Sequence, residues 1–257
     1  MNDQANKTAA SHALPGLSIE LGSASTGAPG KPNEDFHAIL LPRDSEATKR
    51  GMIVALADGI SGSGSARAAA ETTVRVVLHD YYATPGNWSV GQRLDRLLCS
   101  ANDWQWAQNA RRPDQDSIVT AVSVMVLREK SYYLAHVGDI RVYRLREDAF
   151  VQLTQDHTWQ RRDMRHVLRR AIGLDSHLVV DFGNGTLAPD DCFMLVTDGV
   201  WEVLGDHRMA EILRELSDPQ AAAESLVATA LEHQAAYMGR NDATAMVIRI
   251  TKAPHKG

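Results

Sequence analysis

The run Met52-Ile53-Val54-Ala55-Leu56-Ala57-Asp58-Gly59 is an unbroken apolar stretch that stops at an aspartate followed by glycine. Its length and its Ile and Val content suit a buried strand better than a helix, which needs ten or more residues. Two other stretches repeat the design. Cys192 to Thr197 is apolar and ends in Asp198-Gly199, and Tyr132 to Val137 ends in Gly138-Asp139. Further strand-like runs are Leu17 to Ser23, His37 to Leu41, Val119 to Arg128, Arg141 to Leu145 and Ala243 to Ile250. Helical periodicity covers Ser65 to Tyr82, Val90 to Ala107, His207 to Leu216 and Pro219 to Tyr237, with Leu94, Leu97, Leu98 and Ala101 on one face. Strands follow strands and helices come in pairs, so the pattern predicts layered α+β architecture and excludes a doubly wound parallel sheet.

Outside these runs, residues 1–15 and 251–257 have no period and read as tails, the second as a tail or linker. A single domain over residues 16–250 is expected from a chain of 257 residues that is 44% hydrophobic. The formal charge of -5 argues against a broad nucleic-acid surface, which needs clustered Lys and Arg. No stretch has the length of a membrane span, and residues 1–12 lack the apolar core of a signal peptide. The two cysteines, Cys99 and Cys192, form no disulfide framework, so a reducing cytoplasm is expected.

An isolated Asp-Gly pair is an ordinary turn signal. Several acids at the ends of strongly apolar strands are another matter, because a buried carboxylate is costly without a counter-charge. Glycine lets a backbone approach closely and offer its carbonyl, and hard divalent cations favour such oxygen cages. Glu34 and Asp35 in Lys31-Pro32-Asn33-Glu34-Asp35, and Asn241 and Asp242 before the last strand run, complete the acidic set.

In order along the chain, Asn33-Glu34-Asp35, Ala57-Asp58-Gly59-Ile60-Ser61-Gly62, Ala135-His136-Val137-Gly138-Asp139-Ile140-Arg141 and Leu153-Thr154-Gln155-Asp156-His157 resemble motifs of the metal-dependent PP2C (PPM) protein phosphatases. So do Arg170-Ala171-Ile172-Gly173, Val196-Thr197-Asp198-Gly199-Val200-Trp201 and Asn241-Asp242-Ala243-Thr244. The resemblance runs from about Leu17 to Ile250. It implies a four-layer α-β-β-α sandwich, two antiparallel sheets flanked by helix pairs, with two Mn²⁺ or Mg²⁺ ions at its mouth. The implied reaction is hydrolysis of phosphoserine or phosphothreonine esters on proteins by a water or hydroxide bridging those metals.

Residue by residue, the resemblance makes Asp58 the bridging ligand, with the Gly59 carbonyl and Glu34 on one metal and Asp198 on the other. Asp58 and Asp198 are the implied catalytic pair. Asp139 and Glu202 are candidates for a third, weaker metal; the family usually has aspartate where Glu202 stands. Gly30 stands where the family carries its phosphate-binding arginine, so Lys31, one step closer, is either a substitute or a solvated loop lysine. Ile60, Ser61 and Ser63 occupy the turn where many members carry a histidine. Alignment on Thr244 puts Asn241 at the last ligand position, and a one-residue shift would present Asp242 instead.

Trp104 and Trp106 read either as a binding face or as packing, and His136 and His157 stay outside the expected site. Arg161, Arg162, Arg165, Arg169 and Arg170 read as a solvated basic face or a device for steering acidic phosphopeptides. The expected partners are a phosphorylated protein and a cognate Ser/Thr kinase, with no nucleic acid and no membrane. The runner-up reading is a catalytically weak pseudophosphatase that binds phosphoproteins or a kinase. A third reading is a regulatory phosphatase switch, with residues 62–65 as a flexible turn.

Overall fold

The computed structural model describes residues 8–42, 45–60, 66–112, 117–159, 167–237 and 241–253. In chain order the elements are β1 (Thr8–Leu14), β2 (Leu17–Thr26), β3 (Asp35–Leu40), α1 (Ser45–Arg50), β4 (Met52–Ile60), α2 (Ala66–Tyr81), α3 (Val90–Ala110), β5 (Val119–Arg128), β6 (Ser131–Val137), β7 (Arg141–Arg146), β8 (Ala149–Gln152), β9 (Asp181–Thr186), β10 (Cys192–Val196), α4 (Asp198–Glu215), α5 (Pro219–Tyr237) and β11 (Ala243–Lys252). The chain forms two compact units: Met1–Asn33, Arg141–Leu153 and Thr186–Gly257 make the first, and Glu34–Ile140 and Thr154–Gly185 the second.

In the second unit the sheet order is β3-β4-β5-β6-β9, and the pairings of β3 with β4, β4 with β5 and β5 with β6 are antiparallel. Ala70, Val74, Val77 and Leu78 of α2 and Leu94, Leu98 and Ala101 of α3 pack on Ile53, Ala55, Ala57, Val122, Val124 and Val126. These helix positions recur every three or four residues, as one buried face requires. Each fully buried Val or Leu contributes about 1.5–3 kcal/mol. Met52, Val54 and Leu56, on the other face of β4, are buried as well, so β4 reads as continuously apolar instead of alternating. Helix α3 starts at a capping box in which Ser89 accepts from the Gln92 N–H and the Gln92 side chain accepts from the Ser89 N–H.

In the first unit the order is β1-β2-β11-β10-β7-β8, antiparallel throughout. Helices α4 and α5 cover it, with Val200, Met209, Ile212, Leu213, Leu226 and Ala230 packed on Met194, Val196, Ala245 and Val247. The α+β expectation of two antiparallel sheets, each flanked by a helix pair, is met. Among the described residues no helix is long and apolar enough to cross a membrane. Cys99 and Cys192 are free thiols.

Three expectations change. Thr8–Leu14 lie within the expected tail yet form β1, because β2 extends far enough to supply a partner over the whole register from Thr8↔Ser23 to Leu14↔Leu17. At the other end the ladder of β11 with β2 runs to Lys252↔Leu17, two residues into the expected tail. Helix α4 begins at Asp198, well before His207; Gly205, at φ 67° and ψ 167°, kinks it and hides the helical period of the first half.

Candidate active site

In the second unit the antiparallel order brings the start of β3, the end of β4, the start of β5 and the end of β6 to one sheet edge. The register sets Asp35 directly opposite Asp58, and Asp58 opposite Ala121 on its other side. Directly opposed residues point to the same face, with Cβ atoms about 4.5–5.5 Å apart. The Asp35 and Asp58 carboxylates therefore share the face away from α2 and α3, on which Phe36 and Ala57 pack. Asp35 is 1% exposed and Asp58 is partly exposed. The strand does not turn at Asp58-Gly59, as an Asp-Gly pair suggests. Its ladder continues through Gly59↔Thr120 and Ile60↔Val119, and the Gly59 N–H donates to the Glu34 carbonyl at 3.3 Å. Gly59 is required by proximity, since a Cβ there would lie 2.4 Å from the Ala66 carbonyl oxygen.

Gly138 meets both demands on glycine. Its φ is +109°, and a Cβ would sit 2.3 Å from that of Ala121, the residue opposite Asp58. Asp139, buried at 7% exposure, follows it. His157 holds this turn from two sides: its N–H donates to the Gly138 carbonyl at 2.7 Å, and its Nδ1 accepts the Gly138 N–H at 3.1 Å. That acceptor role leaves the proton on Nε2, which donates to Asp181 Oδ2 at 3.0 Å. Arg170 Nη1 bonds the other oxygen of Asp181 at 2.8 Å. Burial opposes ionisation of Asp181, but His157 and Arg170 outweigh it and hold the pKa below the usual carboxylate range. Burial lowers His157. His136, whose ring is tilted 40° to that of His157 with centroids 4.9 Å apart, accepts from Ser123 on Nδ1 and donates from Nε2 to the Gln155 carbonyl. Burial first, then the neighbouring His157, pushes it down to about 4.

In the first unit the residues preceding β11 lie beside the start of α4. Thr197, fully buried, is the N-cap of α4, and its hydroxyl accepts from the Thr244 N–H across to β11. Asp198 occupies the first helical turn, where the helix dipole favours an anion. Glu202, exposed, lies one turn further on the same face. Asn241 Nδ2 donates to Asp198 Oδ1 at 2.8 Å, and Asn241 Oδ1 accepts from the Asp242 N–H at 2.9 Å. Asp242 turns away from that contact, its Oδ1 accepting from the Ala28 N–H at 2.7 Å. Gly199 again answers to proximity: a Cβ there would lie 1.9 Å from the Asp242 carbonyl oxygen. Lys31 is exposed, on a turn where its N–H reaches the Ala28 carbonyl at 3.2 Å and Gly30 takes φ +82°.

The expected donors are thus grouped as Glu34, Asp58, Gly59 and Asp139 at the sheet edge of one unit, and Asp198, Glu202, Asn241 and Asp242 around α4 in the other. All are oxygen ligands, the chemistry of hard divalent cations. Among the described residues no three His, Cys, Asp or Glu side chains converge into a closed cage. An ion held by one or two carboxylates that keeps several waters, the habit of Mg²⁺-like cations, fits this donor set.

Residues 160–166 and 61–65, and with them Arg161, Arg162, Arg165, Ser61, Ser63 and the expected flexible turn, lie outside the described residues. Arg170 is no solvated face residue, since it pairs with Asp181. Trp104 and Trp106 are 48% and 41% exposed, rim and not core. Sequence reasoning missed Gln234 and Asp181, whose roles come from partners distant in the chain. His157, kept outside the expected site as a structural residue of the Leu-Thr-x-Asp-His stretch, holds the Gly138 turn.

The catalytic domain of the serine/threonine phosphatase PstP, solved with two manganese ions, superposes with a TM-score of 0.74 over 92% of this chain and 100% of that one, at 22% identity. PppA, described as a key regulatory component of T6SS in Pseudomonas aeruginosa, superposes at 0.75 over 94% and 100%, at 22% identity. The fold is therefore that of the bacterial serine/threonine phosphatases. In sequence, the serine/threonine phosphatase stp of Listeria innocua is 22% identical over 234 residues, 84% of this chain and 89% of that protein. The family model for protein phosphatase 2C matches residues 24–234, and the chain belongs to that family.

Proposed function

We propose that this protein hydrolyses phosphoserine and phosphothreonine esters on other proteins, with residues 16–250 acting as one catalytic domain and a Ser/Thr kinase supplying the phosphoprotein. The observation that carries the reading is the grouping of Glu34, Asp35, Asp58 and Asp139 at a single sheet edge, beside strands that are mostly apolar. Carboxylates grouped at an apolar sheet edge favour a nearby cation, and their oxygens suit hard divalent ions. Divalent Mn²⁺ or Mg²⁺, when bound, supplies Lewis-acid charge and lowers the pKa of a coordinated water.

The chain's own residues set the stage for that chemistry. Asp58, Glu34 and the Gly59 carbonyl are the donors at one edge, and Asp198 with Asn241 or Asp242 the donors at the other. Between the last two, the contact of Asn241 with Asp198 and the engagement of Asp242 by Ala28 favour Asn241. Asp139 and Glu202 are the donors of a third, weaker site. Lys31, exposed on its loop, is the candidate to attract the phosphoryl group, as a point charge without the bidentate fork of arginine. The pseudophosphatase reading gains no support from relatives that are themselves described as phosphatases.

The test is hydrolysis of p-nitrophenyl phosphate and of a phosphothreonine peptide by purified protein, with Mn²⁺ or with excess EDTA. Turnover of both substrates with Mn²⁺ and loss of both with EDTA is expected. A folded, Mn²⁺-loaded protein that turns over neither would overturn the proposal.

A further inference from the structure

The surroundings of Asp198 are tied together by one buried side chain that takes no part in the chemistry proposed above. Gln234, on α5, is 2% exposed. Its Nε2 donates to the Gly199 carbonyl at 2.8 Å, and its Oε1 accepts from the Asn241 N–H at 2.9 Å. Gly199 adjoins Asp198 in the first turn of α4, whereas Asn241 reaches the Asp198 carboxylate through its side-chain amide. One side chain thereby fixes both backbone arms of the Asp198–Asn241 contact. The arms are also pressed together, because a Cβ on Gly199 would meet the Asp242 carbonyl oxygen at 1.9 Å and Gln234 Nε2 at 3.2 Å.

A carboxylate on the first turn of a helix is free to choose among rotamers unless something else selects one. Here the selection is made by a donor, Asn241 Nδ2, whose own position is set at both ends: its backbone N–H is held by Gln234, and its Oδ1 by the Asp242 N–H. Because Asn241 meets Asp198 as a neutral amide, this contact carries no like-charge repulsion. A core glutamine with both polar ends satisfied by backbone costs little to bury, which is compatible with mere packing. The targets argue for more, since both lie on residues that touch or adjoin the Asp198 carboxylate.

We infer that Gln234 is a positioning residue, which acts through Asn241 to preset the Asp198 carboxylate for a divalent cation. This rests on the reading of Asp198 as a metal ligand. Residues that orient ligands from outside the first coordination shell typically affect metal affinity about 10–100-fold.

The experiment is direct titration of the metal-free full chain with Mn²⁺ by calorimetry, for wild type, Gln234→Met, Asn241→Ala and the double variant. Gln234→Met keeps the side-chain volume and removes both hydrogen bonds. It is expected to weaken Mn²⁺ binding about 10-fold, and to change affinity less than about 2-fold when added to Asn241→Ala, since coupled positions are not additive. Should Gln234→Met not fold, Gln234→Asn, which keeps the amide but is too short to span both arms, carries the same expectation. An unchanged affinity in a folded Gln234 variant, or equal losses in both backgrounds, would overturn the inference and leave a packing role. Absence of any Mn²⁺ binding by wild type would instead overturn the metal-dependent reading beneath it, and this inference with it.

Discussion

The two acid-bearing edges differ in how they manage charge. At the β3–β4 edge, carboxylates face each other in the ladder, Asp35 opposite Asp58, with Glu34 and Asp139 at the same edge. At the α4 edge, Asp198 meets an amide, Asn241, whose geometry is fixed by Gln234. Like charges directly opposite on a sheet destabilise it, whereas a carboxylate accepting from an amide is satisfied as it stands. The two edges therefore differ in kind: one sets carboxylate against carboxylate across the ladder, and the other sets a carboxylate against an amide.

The largest effect expected is on the scaffold behind the first edge. Burial holds His136 at about 4, with His157 beside it, and holds His37 at about 4, with the Arg67 charge adding to it, both against an ordinary 6.5. Their folded pKa values lie below the unfolded ones, so the stability they contribute is complete above pH 6.5 and is lost as pH falls towards 4. The loss is about 1.4 kcal/mol per histidine per pH unit within that window. Urea unfolding midpoints should therefore drop steeply between pH 6.5 and 4, and a flat profile there would exclude neutral buried histidines. Next in size, His157→Ala strips the Gly138 N–H of its acceptor and Asp181 of a donor. It should cost about 2 kcal/mol in urea unfolding, and an effect near zero would mean that the Gly138 turn holds itself. Smallest is Asn241→Asp, which sets a second carboxylate against Asp198. Without metal it should lower stability by about 1 kcal/mol, and Mn²⁺ should restore more than it does in wild type. Equal melting temperatures for the two proteins in EDTA would remove the contrast between the edges.

Much of this was legible in the sequence, and the exceptions have physical causes. Val119–Arg128 and Pro219–Tyr237 coincide with β5 and α5. The first is a continuous apolar strand, and the second opens with proline at its first position behind Asp218, whose carboxylate caps the Ala221 N–H. Strand β1, Thr-Ala-Ala-Ser-His-Ala-Leu, carries almost no β-branched residues and exists because β2 is there to pair with it. Strand β9, Asp-Phe-Gly-Asn-Gly-Thr, has the composition of a turn. The acids of the candidate site stand out in the sequence by their place beside apolar strand runs. Which amide contacts Asp198 could not, because it depends on Asp242 being claimed by Ala28 from the far end of the chain. Gln234 left no local signal at all, being one polar residue on the buried face of a helix.

The most direct test of the contrast is the melting temperature of Asp58→Asn beside wild type, each in EDTA and in Mn²⁺, with turnover of p-nitrophenyl phosphate followed in parallel. Relief of the repulsion with Asp35 should raise the melting temperature in EDTA. The rise on adding Mn²⁺ should shrink, and turnover should fall on the order of 10²–10³-fold, as when a group stabilising transition-state charge is removed. An Asp58→Asn protein that melts lower than wild type in EDTA, and still gains the full wild-type rise with Mn²⁺, would contradict the account.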